Sequence, residues 1–118
     1  MKLFLLVTLI ASLLGCQHRI QSSNQIMEAD QLSDFAKANC LFWYFKKHGY
    51  DTRDIRGITG GMVEKGSFGP EVYQEVASIV KNYQPAVATK GDIDPDLNKC
   101  FYMSSDVKFL ASLNALQR

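Results

Sequence analysis

Residues 39–51 read NCLFWYFKKHGYD, and the way this stretch is wound decides the fold. At ~100° per residue of α-helix, the run of large apolar side chains from Leu41 to Phe45 spreads around the whole circumference. A helix on the surface of a small protein normally keeps one apolar stripe and one polar face. Here no clean polar face is left. Either the later helices of the same chain wrap over this one, or a second protein covers it.

Upstream, Leu32, Phe35, Ala36, Asn39, Cys40 and Trp43 recur at the spacing of a buried helical face. They predict a first helix over roughly Gln31 to Lys47, with Asp30 as N-cap and Gly49 as the stop. Phe42 flanks the stripe, while Ala38, Leu41 and Phe45 lie on the opposite side. Leu41 and Phe45 are therefore candidates for a dimer contact.

Downstream, Asp51 and Asp54 resemble a capping box and predict a second helix. Its buried face is Ile55, Ile58, Thr59, Met62 and Val63, and Gly66 ends it. Gly57 and Gly61 stand one turn apart inside it. They either let another backbone approach closely, which makes them dimer candidates as well, or leave the helix frayed. Pro70 at a first helical position, with Glu71 and Glu75 behind it, predicts a third helix with Val72, Val76, Ile79 and Tyr83 buried, and Pro85 forbids its continuation. Asp94 and Pro95 open a short fourth helix with Leu97, Cys100 and Phe101 inward. The stripe loses phase after Ser104, and Ser105-Asp106 caps a last helix carrying Phe109, Leu110, Leu113 and Leu116. No segment alternates with period two, so the fold class is all-α: a small bundle of about five helices stapled by one disulfide.

The chain has 118 residues, enough for one domain, and a net charge of +1 from 13 basic and 12 acidic residues that are interspersed. No basic stripe marks a nucleic-acid footprint. The N-terminus, MKLFLLVTLIASLLGCQH, has a single Lys followed by an uninterrupted apolar run too short to span a bilayer comfortably. Residues 1–15 read as a signal peptide. Leu13-Leu14-Gly15-Cys16 resembles a bacterial lipobox, in which Cys16 is lipidated and becomes the first mature residue; a plain cleaved signal with an incidental Cys is the alternative. Residues 16–30 then form a lipidated tether, and 31–118 the helical domain. Gln17 after Cys16, by resemblance to sorted lipoproteins, implies a periplasmic protein anchored to the outer membrane through the lipid alone.

Three cysteines leave an odd one, which the lipobox accounts for. Cys40 and Cys100 then share an oxidising compartment, where two thiols in a small domain usually pair.

Candidate chemistry is sparse. Beyond His18 in the tether the remaining histidine is His48, about 80° round the helix and roughly 12 Å along it from Cys40, too far for a Cys-His pair. His48 reads instead as a residue at the helix C-terminus interacting with the last carbonyls. Ligands for zinc are lacking. Asp92 to Asp96 alternate like a calcium loop, but Leu97 and Met103 stand where its Gly and Glu belong. The glycines of GITGG and GSFGP are not followed by a phosphate-loop Lys. The expectation is no cofactor and no enzyme.

Two stretches, NCLFWYFKKHG and NKCFYMSSDVKFLASL, with GPEVYQEVASIVKNY between them, resemble the group-four immunity proteins of type VI secretion amidase effectors. The resemblance covers about residues 31 to 116. It implies a periplasmic inhibitor, commonly a homodimer, that binds a papain-like peptidoglycan amidase and occludes its active-site cleft. It further implies that the loop before the penultimate helix, with the last helix, engages that cleft. The loop is residues 85–94, of which Ala86, Val87, Ala88, Thr89, Lys90, Gly91, Asp92 and Asp94 are the candidate partner-binding residues. An envelope lipoprotein with a structural or assembly role, or an enzyme whose site the sequence hides, would carry the same tether and helices.

Overall fold

A computed structural model describes residues 17–117, and side chains from Glu28 onward apart from Ala29. The signal segment 1–15 and the lipidation candidate Cys16 lie outside the described residues. The described chain is all-helical: α1 (Gln17–Lys47), α2 (Arg53–Lys65), α3 (Pro70–Asn82), α4 (Pro95–Tyr102), a 3₁₀ turn (Met103–Ser105) and α5 (Val107–Ala115). The first helix thus begins at Gln17, upstream of the start expected at Gln31, and the segment read as a tether continues it.

α1 ends as its sequence requires. Gly49 takes a left-handed φ of 72°. Its N–H donates to Lys46 O (3.3 Å) and the N–H of Tyr50 to Phe45 O (2.9 Å). This is a Schellman closure, completed by an apolar contact between the rings of Tyr50 and Phe45, 5.9 Å apart.

α1 is the hub. α2, α3, α4 and α5 all pack on it, whereas α2 has no other major helix partner. The central cluster joins Leu32, Phe35, Ala36 and Cys40 of α1 to Tyr73, Val76 and Val80 of α3, Cys100 of α4, Met103, and Phe109 and Leu113 of α5. Burying aliphatic side chains such as Leu32, Val76 and Leu113 contributes about 1.5–3 kcal/mol each. Cys40 and Cys100 form the expected disulfide, with Cα atoms 5.4 Å apart.

The opening stretch is covered by its own chain on more than one side. Leu41 packs half-buried against the central cluster, Ala38 is buried on the side away from it, and the Arg56 guanidinium of α2 lies over the Phe42 ring (5.7 Å). Trp43 is different. Expected in the core, it is 45 % exposed, with the Lys46 ammonium rather than a packed helix over its ring (5.1 Å).

Other expectations shift by small rotations. The N-cap of α2 is Thr52 rather than Asp51; the Asp51 carboxylate instead accepts from the backbone N–H and guanidinium of Arg53. The α3 face turned inward is Tyr73, Val76 and Val80, with Val72, Ile79 and Tyr83 only half-buried. Phe101, expected inward, is 55 % exposed. The helix openers at Pro70, Asp94 and Asp106 and the stops at Gly49 and Gly66 stand where they were read.

Candidate functional site

The connection from α3 to α4 is the longest irregular segment between described helices. Tyr83 leaves α3 in extended backbone with its N–H on Val80 O (3.2 Å), and Pro85 holds Gln84 out of helical conformation. Gly91, at φ 71°, makes the turn. At the far end the Asp94 carboxylate accepts from the N–H groups of Asp96 (2.8 Å) and Leu97 (3.2 Å), so α4 is capped as soon as Pro95 starts it.

Both ends are pinned. The Tyr83 hydroxyl donates to Asp106 Oδ2 (2.6 Å), its ring meets Phe109 edge-on at 5.0 Å, and Asn98 Nδ2 donates to Thr89 Oγ1 (3.4 Å). Between the pins Ala86, Val87, Ala88, Lys90, Gly91 and Asp92 are exposed, while Thr89 and Asp94 are half-buried. Val87 and Ile93 are each 57 % exposed. Asp94 is therefore occupied, capping α4 and facing His48 Nε2 at 3.6 Å. His48 also lies against the Tyr44 ring (4.3 Å) and stacks on Tyr50 (5.7 Å).

Behind the loop is a hollow of about 440 Å³ bounded by Val87, Thr89, Ile93, Asp96 and Lys99. A second hollow, about 360 Å³, adjoins it through the shared Asp96 and Lys99, and reaches Cys40, Trp43, Tyr44, Lys47, Val80 and Lys81. Lys47 pairs with Asp96. That hydrogen bond, and then the attraction between the charges, holds the Lys47 ammonium above its ordinary value, and the same bond holds the Asp96 carboxyl below its own. Burial raises the Tyr44 phenol, and the carboxylates of Asp94 and Asp96 add to the effect.

The loop is legible in the sequence; the second hollow is not. The signal was present: Cys40, Trp43, Tyr44 and Lys47 share one helical face at i, i+3, i+4 and i+7. The same periodicity marks a core face for Trp43, and the lysines of α3 and α4 come from distant segments. Val107, at the start of α5, is another exposed apolar side chain (78 %).

The dimer candidates fall in different places. Leu41 and Phe45 are half-buried, and Gly57 and Gly61 lie on α2 with no heavy atom beyond their own helix and immediate chain neighbours within 4 Å of an added Cβ. Cys40 and Cys100 offer no thiolate while joined. Among the described residues no group of three or more His, Cys, Asp or Glu could hold a metal ion, and no helix is long and apolar enough to cross a membrane. Comparison with protein-family models, curated proteins and solved structures finds no match.

Proposed function

We propose that this chain is a periplasmic immunity protein that binds a papain-like peptidoglycan amidase delivered by type VI secretion and occludes its active-site cleft with the loop 85–94. The observation that carries the reading is the loop itself. It displays Val87 and Ile93 to solvent while Tyr83, Thr89 and Asp94 fix it from below. A segment held in one shape loses less conformational entropy on entering a groove than a free one, so more of its contact energy remains as affinity. Ala86 and Ala88 are slim enough for a narrow cleft, and Lys90 and Asp92 supply polar contacts at its rim. Val107 and Lys108, exposed at the start of α5, extend the same kind of surface to the last helix. The resemblance of the flanking stretches to amidase immunity proteins supplies the identity of the partner, and inhibition needs no catalytic group of its own.

The test replaces residues 86–92 with a Gly/Ser segment of equal length. Helical content and the disulfide should persist, while inhibition of the cognate amidase and protection of cells exposed to it are lost. A variant that inhibits fully removes the loop from the mechanism.

A further inference from the structure

We infer that the hollow beside the disulfide is a binding site for an acidic peptide segment carrying one bulky apolar side chain. Its floor is apolar, formed by Cys40, Val80 and the ring of Trp43. Its rim is cationic: of three lysines, 47, 81 and 99, Lys47 alone is in an ion pair among the described residues, with the single rim aspartate, Asp96. Lys81 and Lys99, neither in an ion pair among the described residues although Lys99 acts on Asp96 through its charge, therefore line a groove with room, at about 360 Å³, for one large side chain and the carboxylates next to it. Ligand pockets begin at roughly that size, ~300 Å³, and pair an apolar floor with a few placed polar groups. Trp43 fits this reading. It is 45 % exposed, and the Lys46 ammonium over its ring at 5.1 Å adds a further cation to the surroundings of the groove. Aromatic side chains of this kind are the usual anchors of protein contacts.

The shape favours a peptide over a free anion. The hollow opens through Asp96 and Lys99 into the one behind the loop, where Ile93 and Val87 continue the apolar surface. An extended chain can lie across both, setting an apolar side chain on Trp43 and acidic neighbours on Lys81 and Lys99. A small carboxylate would meet the two cations and leave the floor uncovered. The site goes beyond the loop's proposed role and does not require that role to hold.

Trp43 is the single tryptophan of the chain, so its emission reports occupancy directly. The purified full chain is titrated with the acetylated, amidated tripeptide Glu-Leu-Glu, with the Gln-Leu-Gln and Lys-Leu-Lys analogues, and with sodium acetate. The expected result is a saturable change in Trp43 emission with Glu-Leu-Glu that weakens with added salt, is at least tenfold weaker for the Gln analogue, and is absent for the Lys analogue and for acetate at equal concentration. Lys81→Glu with Lys99→Glu should weaken the acidic tripeptide at least tenfold and admit the basic one, with unchanged circular dichroism. Should that pair disturb folding, Lys81→Gln with Lys99→Gln serves instead. No saturation by Glu-Leu-Glu, equal saturation by Lys-Leu-Lys or by acetate, or a folded double variant with unchanged affinity overturns the proposal. No amidase enters the assay, so its failure and that of the loop mechanism are told apart.

Discussion

Tyr73 and Tyr83 show how differently two phenols on one helix and its cap can be treated. Tyr73 is 2 % exposed, with its ring edge-on to Phe35 at 5.0 Å, and its hydroxyl proton finds no acceptor among the described residues, although the Phe68 N–H lies near its oxygen. Tyr83 donates to Asp106 Oδ2, and the same carboxylate caps α5 through the N–H groups of Lys108 and Phe109. A buried hydroxyl left unpaired is a cost, whereas removing a partner from a working carboxylate removes stability. Tyr73→Phe should therefore be neutral or raise the melting temperature, and Tyr83→Phe should lower it. The pH dependence follows from two signs. The Tyr83 hydroxyl holds the Asp106 carboxyl below the usual range, against the opposing effect of burial; its contribution is complete above the unfolded value of about 4 and is lost as pH falls through the lower folded one. Burial first, and then Asp106, raises the Tyr83 phenol; its contribution is complete below about pH 10 and is lost as pH rises through the folded value. Thermal melts from pH 3 to 11 should show the wild type losing stability at both ends and Tyr83→Phe losing less at each. Equal profiles would mean that the bond is not populated in solution.

At the scale of elements, α2 is the helix whose sequence argues most against it. Gly57, Gly60 and Gly61 lower its propensity, yet an added Cβ at any of them meets no heavy atom within 4 Å beyond its own helix and immediate chain neighbours. In a helix this open, Gly57→Ala and Gly60→Ala should each stabilise by about 0.5–1 kcal/mol, read as a higher denaturation midpoint. If α2 is instead the face on which two copies meet, Gly57→Ala will reduce dimer in light scattering. Gly66 behaves oppositely. A methyl there collides with the Tyr73 hydroxyl and comes within 2.7 Å of the Met62 carbonyl oxygen, so Gly66→Ala should destabilise by about 1–3 kcal/mol through overpacking. Helix openers and stops were legible because each rests on a local rule: Pro70 at a first turn, Asp94 and Asp106 as caps, Gly49 at positive φ. The direction of a face was less legible. In α3, reading Val72, Val76, Ile79 and Tyr83 as the buried stripe missed Tyr73 and Val80, because a helix with apolar residues on both sides of Val76 fits either rotation and only its partner decides. Trp43, Ile58 and Phe101, all expected inward, stand exposed for a related reason: periodicity marks a face, while burial requires a neighbour to reach it.

The whole molecule is organised as one long helix with the others leaning on it, and what ties each to α1 differs. α3 is attached through Tyr73, Val76 and Val80, all buried, and the α2–α3 connection is tied to α1 by Gln31, whose amide oxygen accepts from the Ser67 N–H (2.9 Å). α4 has one fully buried apolar side chain, Cys100 itself. Its other contacts with α1 and the residues just beyond it include the Lys47–Asp96 pair, the Lys37 ammonium over the Phe101 ring (5.9 Å) and the His48–Asp94 contact at its N-cap, surface interactions of the kind that adds little. The disulfide closes 60 residues, which in the chain-entropy account contributes about 4 kcal/mol, a large share of the ~5–15 kcal/mol that holds a domain together. Cys40→Ser with Cys100→Ser should lower stability by roughly that amount in urea titration. The loss should also be uneven. Hydrogen exchange ought to show the α4 amides losing protection before those of α3, because α4 is left with one shortened side chain in the core and a few surface contacts. If α3 and α4 lose protection together, the bond acts on the unfolded chain alone, and the loop 85–94 owes its anchorage to Asp94 and Thr89 rather than to the staple behind them.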